Sequence, residues 1–379
     1  MGDLDWQRCN QIELEWQSIE DSYRLAPYQS PTNLRQERDK LLKAYKSGRA
    51  YNPKFEFAVP PEYPIKLIRQ FIAGLKPESS WLEQIYYEIA NQELQHIQAV
   101  QTHDSNLITG ITCISYGLPE SELVTKAQHI LESTKKTNSS QDGNQSLLAD
   151  HEAASKLQLI LDSNNLQDWK AIVFEPMNAK MSVDRLDKQV KIRAGTTFSE
   201  QTVQRLIVHE LGVHVVRYHN GSHQPIKLFQ KGFPNYLSTE EGLAVYSEDE
   251  AGLLETDTLR KYAGRVMAAH LAVNQPFCDV FNTLCHWLDY ETAFDIVARA
   301  KRGFTDTSQP GAHTKDIVYL QGYLDVKHHL TQYPEDYDLL FIGKFGLQHL
   351  PLVRNLLNEG TLFRPILMPD KLMGGYSND

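Results

Sequence analysis

Apolar residues recur at Val203, Leu206, Ile207, Val208, Leu211, Val213, Val215 and Val216 within the run 199–221. That stripe is too broad for one exposed face and predicts a buried helix. Thr197-Phe198-Ser199-Glu200 has the form of a capping box, with Ser199 as an alternative N-cap. His219-Asn220-Gly221 supplies a stop, because Asn and Gly accept the left-handed conformation at a helix end.

The rest of the chain divides by pattern. Residues 1 to about 50 are polar and predicted helical, and 51–63, with Pro53, Pro60 and Pro61 inside and Pro64 beside it, reads as an extended connector. Amphipathic helices are expected over 65–75, 81–100, 121–132 and 149–161, with a turn at Tyr116-Gly117-Leu118-Pro119. The Ser-, Asn-, Gln- and Lys-rich stretch 134–146 reads as a loop or domain boundary. Short strands follow at 171–174, 181–183 and 190–192, the last two around the turn Leu186-Asp187-Lys188. Helices are then expected over 253–286, 290–300 and most of 322–379. The expected fold class is α+β, mainly α, with a helical region at 1–160 and the domain carrying the chemistry at 161–379.

That chemistry starts with His209-Glu210-Leu211-Gly212-Val213-His214. Two imidazoles and a carboxylate on one helix are the parts of a zinc hydrolase site. The imidazoles are five residues apart, which leaves roughly 140° between them on an ideal helix. One π-type turn near 211–213, at Gly212, would bring both rings to one side. Glu210 would then face the metal without binding it and take a proton from the attacking water. A third ligand is still required, with one position left open. Glu241, in the first turn of a helix capped by Ser238 or Thr239, is placed to supply it, and Glu240, Glu248 and Glu250 compete.

Strands leading straight into the metal helix match the layout of thermolysin-type, gluzincin-like metallopeptidases, whose edge strand pairs with substrate backbone. Residues 180–183, beginning at Lys180, are the expected edge. The polar segment 299–319 is expected to hold an anionic group such as a peptide C-terminal carboxylate through Lys301 or Arg302. His313 or Tyr319 is expected to stabilise a tetrahedral oxyanion. Glu93 and His96 form a single Glu-x-x-His without a second copy, and are read as structural.

Composition narrows the partners. The 379 residues carry a net charge of -10, so no basic face points to nucleic acid or an anionic membrane. Mean hydropathy is -0.44 and no apolar run reaches membrane-spanning length. Cys9, Cys113, Cys278 and Cys285 have no paired spacing, against a disulfide framework or a cysteine metal site. The start lacks a signal-peptide pattern, and the expected location is cytoplasmic.

His209-Glu210-Leu211-Gly212-Val213-His214, then Glu240-Glu241-Gly242-Leu243-Ala244, then Lys301-Arg302-Gly303-x-Thr305-Asp306-Thr307 and Thr314-Lys315-Asp316-x-Val318-Tyr319, resemble one family. It is that of the microtubule-associated tyrosine carboxypeptidases and their bacterial relatives, often labelled flavohemoglobin expression-modulating QEGLA-motif proteins. The resemblance implies a zinc metallopeptidase with His209, His214 and Glu241 as ligands and Glu210 as base. The QEGLA label has Gln where this chain has Glu240, so the shared carboxylate is Glu241. The resemblance also implies a carboxypeptidase that removes a C-terminal residue such as tyrosine from a peptide or protein. Animal members act on α-tubulin; the low Lys and Arg content here gives no sign of a microtubule-binding arm and looks like the bacterial branch. Two rival readings share the metal: an endopeptidase, and a regulatory zinc-binding protein without turnover.

Overall fold

A computed structural model describes residues 5–134, 147–175, 177 and 179–374. The chain is mainly helical and falls into two compact units, each assembled from two separate stretches. The first unit comprises Met1–Lys136 and Thr256–Leu320; the second comprises Thr137–Glu255 and Gln321–Asp379. The expected division is instead a single one, between 160 and 161. The chain leaves the second unit after Glu255 and gives helices Thr256–Ala272, Phe277–Leu284 and Tyr290–Ala300 to the first. Such a return is set by packing between distant segments, which local composition does not encode. The expected linker 134–146 lies, apart from Thr134, outside the described residues.

In the first unit, helices Ile65–Gly74, Trp81–Thr102 and Ser121–Ser133 fall close to the predicted spans, Trp6–Glu20 and Leu34–Lys46 lie in the region expected to be helical, and Ser105–Tyr116 is a helix not predicted from the sequence. Asp5, Ser80 and Asp104 cap three of them by accepting backbone N–H bonds. The expected continuous helix 253–286 is broken between Ala272 and Phe277, where Pro276 serves as the next N-cap. The connector holds Lys54 in a β-bridge with Asp306. Glu93 accepts from Tyr23, and the His96 Nε2 bonds Ser115 Oγ, so this pair is used structurally.

The second unit holds the sheets. We label the strands β1 (Leu147–Leu148), β2 (Lys170–Phe174), β3 (Met181–Asp184), β4 (Gln189–Arg193) and β5 (Phe198–Ser199). β1 pairs antiparallel with β5, and the other three form a sheet in the order β2-β4-β3. β3 and β4 are the predicted hairpin, with Met181 opposite Ile192. β3 is an edge strand and packs beside the metal helix.

Two glycines set how closely the second unit's helices approach. A Cβ on Gly242, in helix Leu237–Glu250, would lie 2.2 Å from the backbone of Gly322. One on Gly322 would lie 1.9 Å from Ser238 O. No rotamer relieves a clash with backbone. Residues 334–349 depart from the expected helix, forming short 3-10 turns interrupted at Gly343 and Gly346. Their carbonyls are used by side chains of the metal helix, as described below, which a regular helix would forbid by engaging those carbonyls itself. Among the described residues no helix is long and apolar enough to cross a membrane.

Gly242→Ala should force these helices apart and destabilise the second unit by about 1–3 kcal/mol or more. Urea unfolding monitored by circular dichroism tests this; an unchanged midpoint would show that the contact is not tight.

Candidate metal centre

The helix that carries His209 and His214 begins at the alternative cap: Ser199, rather than Thr197, is the N-cap, and its side chain accepts from Thr202 N–H. It then widens into a π-helix over Ile207–Val215. The widening spans nine residues rather than the single turn expected at 211–213. Its signature is the Val216 N–H, which reaches Leu211 O five residues back. Residues five apart thereby come to one side, and the rings of His209 and His214 lie with centroids 5.0 Å apart at 76°. Gly212 is not demanded by sterics, since an added Cβ would sit 3.8 Å from Ile207 O and 3.9 Å from Pro369 Cβ. Its contribution is the weak helical preference that makes the widening less costly.

The helix does not stop at His219-Asn220-Gly221 but runs on to Ser222. Asn220 is buried, donating to Phe341 O and Leu367 O and accepting from Ile366 and Leu367 N–H. Gly221 is there for close approach: a Cβ would lie 2.3 Å from Phe229 O. The helix continues because tertiary bonds use both residues, overriding their preference for a helix end.

Each metal-helix imidazole is held through its Nδ1 by a buried carboxylate. His209 Nδ1 lies 2.7 Å from Glu248 Oε1, and His214 Nδ1 lies 2.9 Å from Glu240 Oε1. Carboxylates accept, so Nδ1 carries the proton and the Nε2 lone pairs point into the site. Glu241 Oε2 lies 3.5 Å from His209 Nε2 and 3.8 Å from His214 Nε2. A tetrahedral zinc site with bonds near 2.0–2.1 Å has ligand atoms about 3.3 Å apart, so this triangle is close to the required size. Among the described residues, His209, His214 and Glu241 are the group that could hold a metal ion.

Glu240 and Glu248, which competed for the ligand position, orient the ligands instead. Glu248 is fully buried and also accepts from Arg205 Nη1. Glu240 accepts from His214, Arg217 and Lys344. Burial opposes its ionisation, but Lys344, Arg217 and His214 outweigh that and hold it well below the usual carboxylate range. Burial pulls the Lys344 ammonium down to about 8 against the attraction of Glu240. Arg217 completes the frame by donating to Leu340 O and Phe345 O. At His209, burial works against a charged ring, while Glu241 and Glu248 raise its pKa to about 10. So many carboxylates around one ring call for positive charge, and a divalent cation on Nε2 satisfies the same demand as a proton.

Glu210 is buried at 8% exposure, and its carboxylate makes no hydrogen bond to any described residue. It adjoins His209 without belonging to the ligand triangle, as a non-ligating base requires. Lys180 is exposed just before β3; its carbonyl accepts from Arg193 N–H and its ammonium lies 5.9 Å from the Phe198 ring. Glu250 stands at the C-terminal end of its helix, outside the cluster.

Lys301, Arg302, His313 and Tyr319 belong to the first unit. Lys301 is fully buried, and its Nζ sits within bonding distance of the carbonyls of Ala272, Gln275, Gln309 and Gly311. An ammonium has three protons, so none is left over for a substrate carboxylate, which corrects the expected role of this residue. His313 is buried, with its ring neutral because burial and Arg302 oppose its charge. Tyr319 stacks on Tyr262, centroids 5.0 Å apart, with Arg265 over its ring at 4.5 Å. The segment 299–319 is therefore mostly buried structure rather than a solvated loop.

Alanine in place of Glu248 should weaken zinc binding about 10- to 100-fold by freeing the His209 ring. Zinc titration against a competing chelator measures it; unchanged affinity would mean that Glu248 does not position the ligand.

Residues 45–374 match the family described as microtubule-associated tyrosine carboxypeptidase. The chain is 27% identical over 330 residues to mouse microtubule-associated tyrosine carboxypeptidase 1, a match covering 86% of this chain and 61% of that protein. The rat protein of that name is 32% identical over 158 residues, covering 40% of this chain and 33% of the relative. For the human one the figures are 32% over 132 residues, 34% and 28%. The matches thus span less than two thirds of the relatives' length. With the match extending over most of its residues, the chain belongs to the microtubule-associated tyrosine carboxypeptidase family.

Proposed function

We propose that the protein is a zinc-dependent carboxypeptidase that removes a C-terminal residue, tyrosine among them, from a peptide or protein. The observation that carries this reading is the convergence of His209 Nε2, His214 Nε2 and Glu241 Oε2, with Glu210 alongside and outside the triangle. A purely structural zinc site closes with four protein ligands and has no use for an adjacent non-ligating carboxylate. The names of the relatives supply the peptidase class and the preferred end.

His209, His214 and Glu241 would hold the zinc ion, which would supply Lewis acidity for the peptide carbonyl and for bound water. Glu210 takes the proton of the attacking water and passes it to the leaving amine. Glu248 and Glu240 keep both imidazoles in the tautomer that presents Nε2. The free edge of β3, beside the metal helix, offers backbone N–H and C=O groups to an extended substrate.

Glu210→Gln should retain stoichiometric zinc and lose about 10²- to 10⁴-fold in peptide cleavage. Metal analysis and cleavage of a peptide ending in tyrosine measure the two; undiminished cleavage would remove Glu210 from the role. Amidating the same peptide should abolish cleavage, whereas continued cutting would identify an endopeptidase with the same metal centre.

A further inference from the structure

A cleft opens within the first unit between helices Trp81–Thr102 and Ser105–Tyr116 and the segment 302–315. Its floor is apolar, made by Ala99, Val100, Ile108 and Ile111. Its polar lining includes Arg302, Lys315, His96, His103 and His313, with Tyr116 and Tyr28 adding aromatic surface. No Asp or Glu lines it among the described residues.

Arg302 is the informative group. It is half-buried, lines the cleft, and its guanidinium makes no hydrogen bond to any described residue. The nearby carboxylate, Asp316, is already engaged by Arg299 through Nε and Nη2. Arg265 also acts on Asp316, and its Nε and Nη1 are buried without hydrogen-bond partners. Arg299, Arg265 and Arg302 thus all act on this one carboxylate, which leaves positive charge where the cleft meets Arg302. The Arg302 fork therefore faces the cleft able to take an acceptor that enters it.

We propose that this cleft binds a small organic carboxylate, its acid group on the Arg302 fork and its apolar or aromatic body on the floor formed by Ala99, Val100, Ile108 and Ile111. A guanidinium matches a carboxylate in bidentate geometry, and the acid-free lining excludes a cationic ligand. His313, neutral and buried against Tyr116 at 6.3 Å between centroids, adds a flat wall and a nitrogen able to donate or accept. The same chemistry could be presented by a free acid or by the last residue of a peptide. The inference concerns the first unit alone and holds whether or not the metal reading does.

The test uses the full chain after its metal has been stripped with a chelator and dialysed away, which removes turnover and any carboxylate binding at zinc. Calorimetric titration with 3-phenylpropionate represents a free acid, and N-acetylphenylalanine represents a peptide end; the corresponding amides serve as controls. At least one acid is expected to bind, with its amide and the Arg302→Gln variant each at least about tenfold weaker. The better of the two acids identifies the source. Thermal melting checks that the variant is folded, and the comparison of acid with amide on the unaltered protein needs no variant. The proposal is overturned if neither acid binds, if acid and amide bind alike, or if folded Arg302→Gln binds as well as the parent. Binding that appears only when zinc is restored would place the carboxylate on the metal and also overturn it.

Discussion

Two hydrogen bonds between buried carboxylates and imidazoles govern the candidate metal centre: Glu248 to His209 and Glu240 to His214. Each fixes a tautomer and a ring plane, and together they decide which nitrogens face inward. The widened helix and these bonds support one another. Without the π-helical stretch the rings would diverge, and without the carboxylates the rings could rotate within it. Both carboxylates stand on helix Leu237–Glu250, which also carries Glu241, so one rigid element supplies the third candidate ligand and the clamps for both imidazoles.

The clamps differ in how they are balanced. Glu248 Oε1 is shared by Arg205 and His209. Glu240 lies deeper in charge, between Arg217 and Lys344, and Arg217 is anchored by carbonyls of the 334–349 segment. A buried carboxylate would be expensive alone, and each cation would be expensive without it. The segment therefore avoids regular helix for a reason tied to the site: its carbonyls must be available to Arg217 and Asn220. Gly343 permits the necessary approach, since a Cβ there would lie 2.6 Å from Phe229 O.

The convergence of His209, His214 and Glu241 could be anticipated from residue order because such residues announce themselves by type and spacing on predicted helices. The length of the π stretch could not, since a five-residue interval requires only that the helix be wider somewhere between its ends. Nor could the division of labour among Glu240, Glu241 and Glu248. Residues 241 and 248 are seven apart and share a face, while 240 lies about 100° around, so helix phase alone narrows the choice without settling it. The roles of Lys301 and Asn220 were hidden for another reason. Their partners are backbone carbonyls, and a carbonyl leaves no trace in residue identity. The interleaving of 256–320 with the N-terminal stretch was equally invisible, because local periodicity finds helices but not the unit they join.

This arrangement bears on how a metal would couple to stability. His209 and His214 come from the widened helix, Glu241 from the next, and the Glu240 clamp depends on Lys344 and on Arg217, which reaches Leu340 and Phe345. Stretches more than a hundred residues apart must be in place before the three ligand atoms converge. An unfolded chain has no such site, so the free energy of metal binding adds to that of folding in the second unit. Conversely, each clamp carboxylate already has a cation of its own, Arg205 for Glu248 and Arg217 with Lys344 for Glu240. The scaffold is thus preorganised by its outer charges, and an incoming ion has only to displace solvent or a proton from nitrogens already aimed at it.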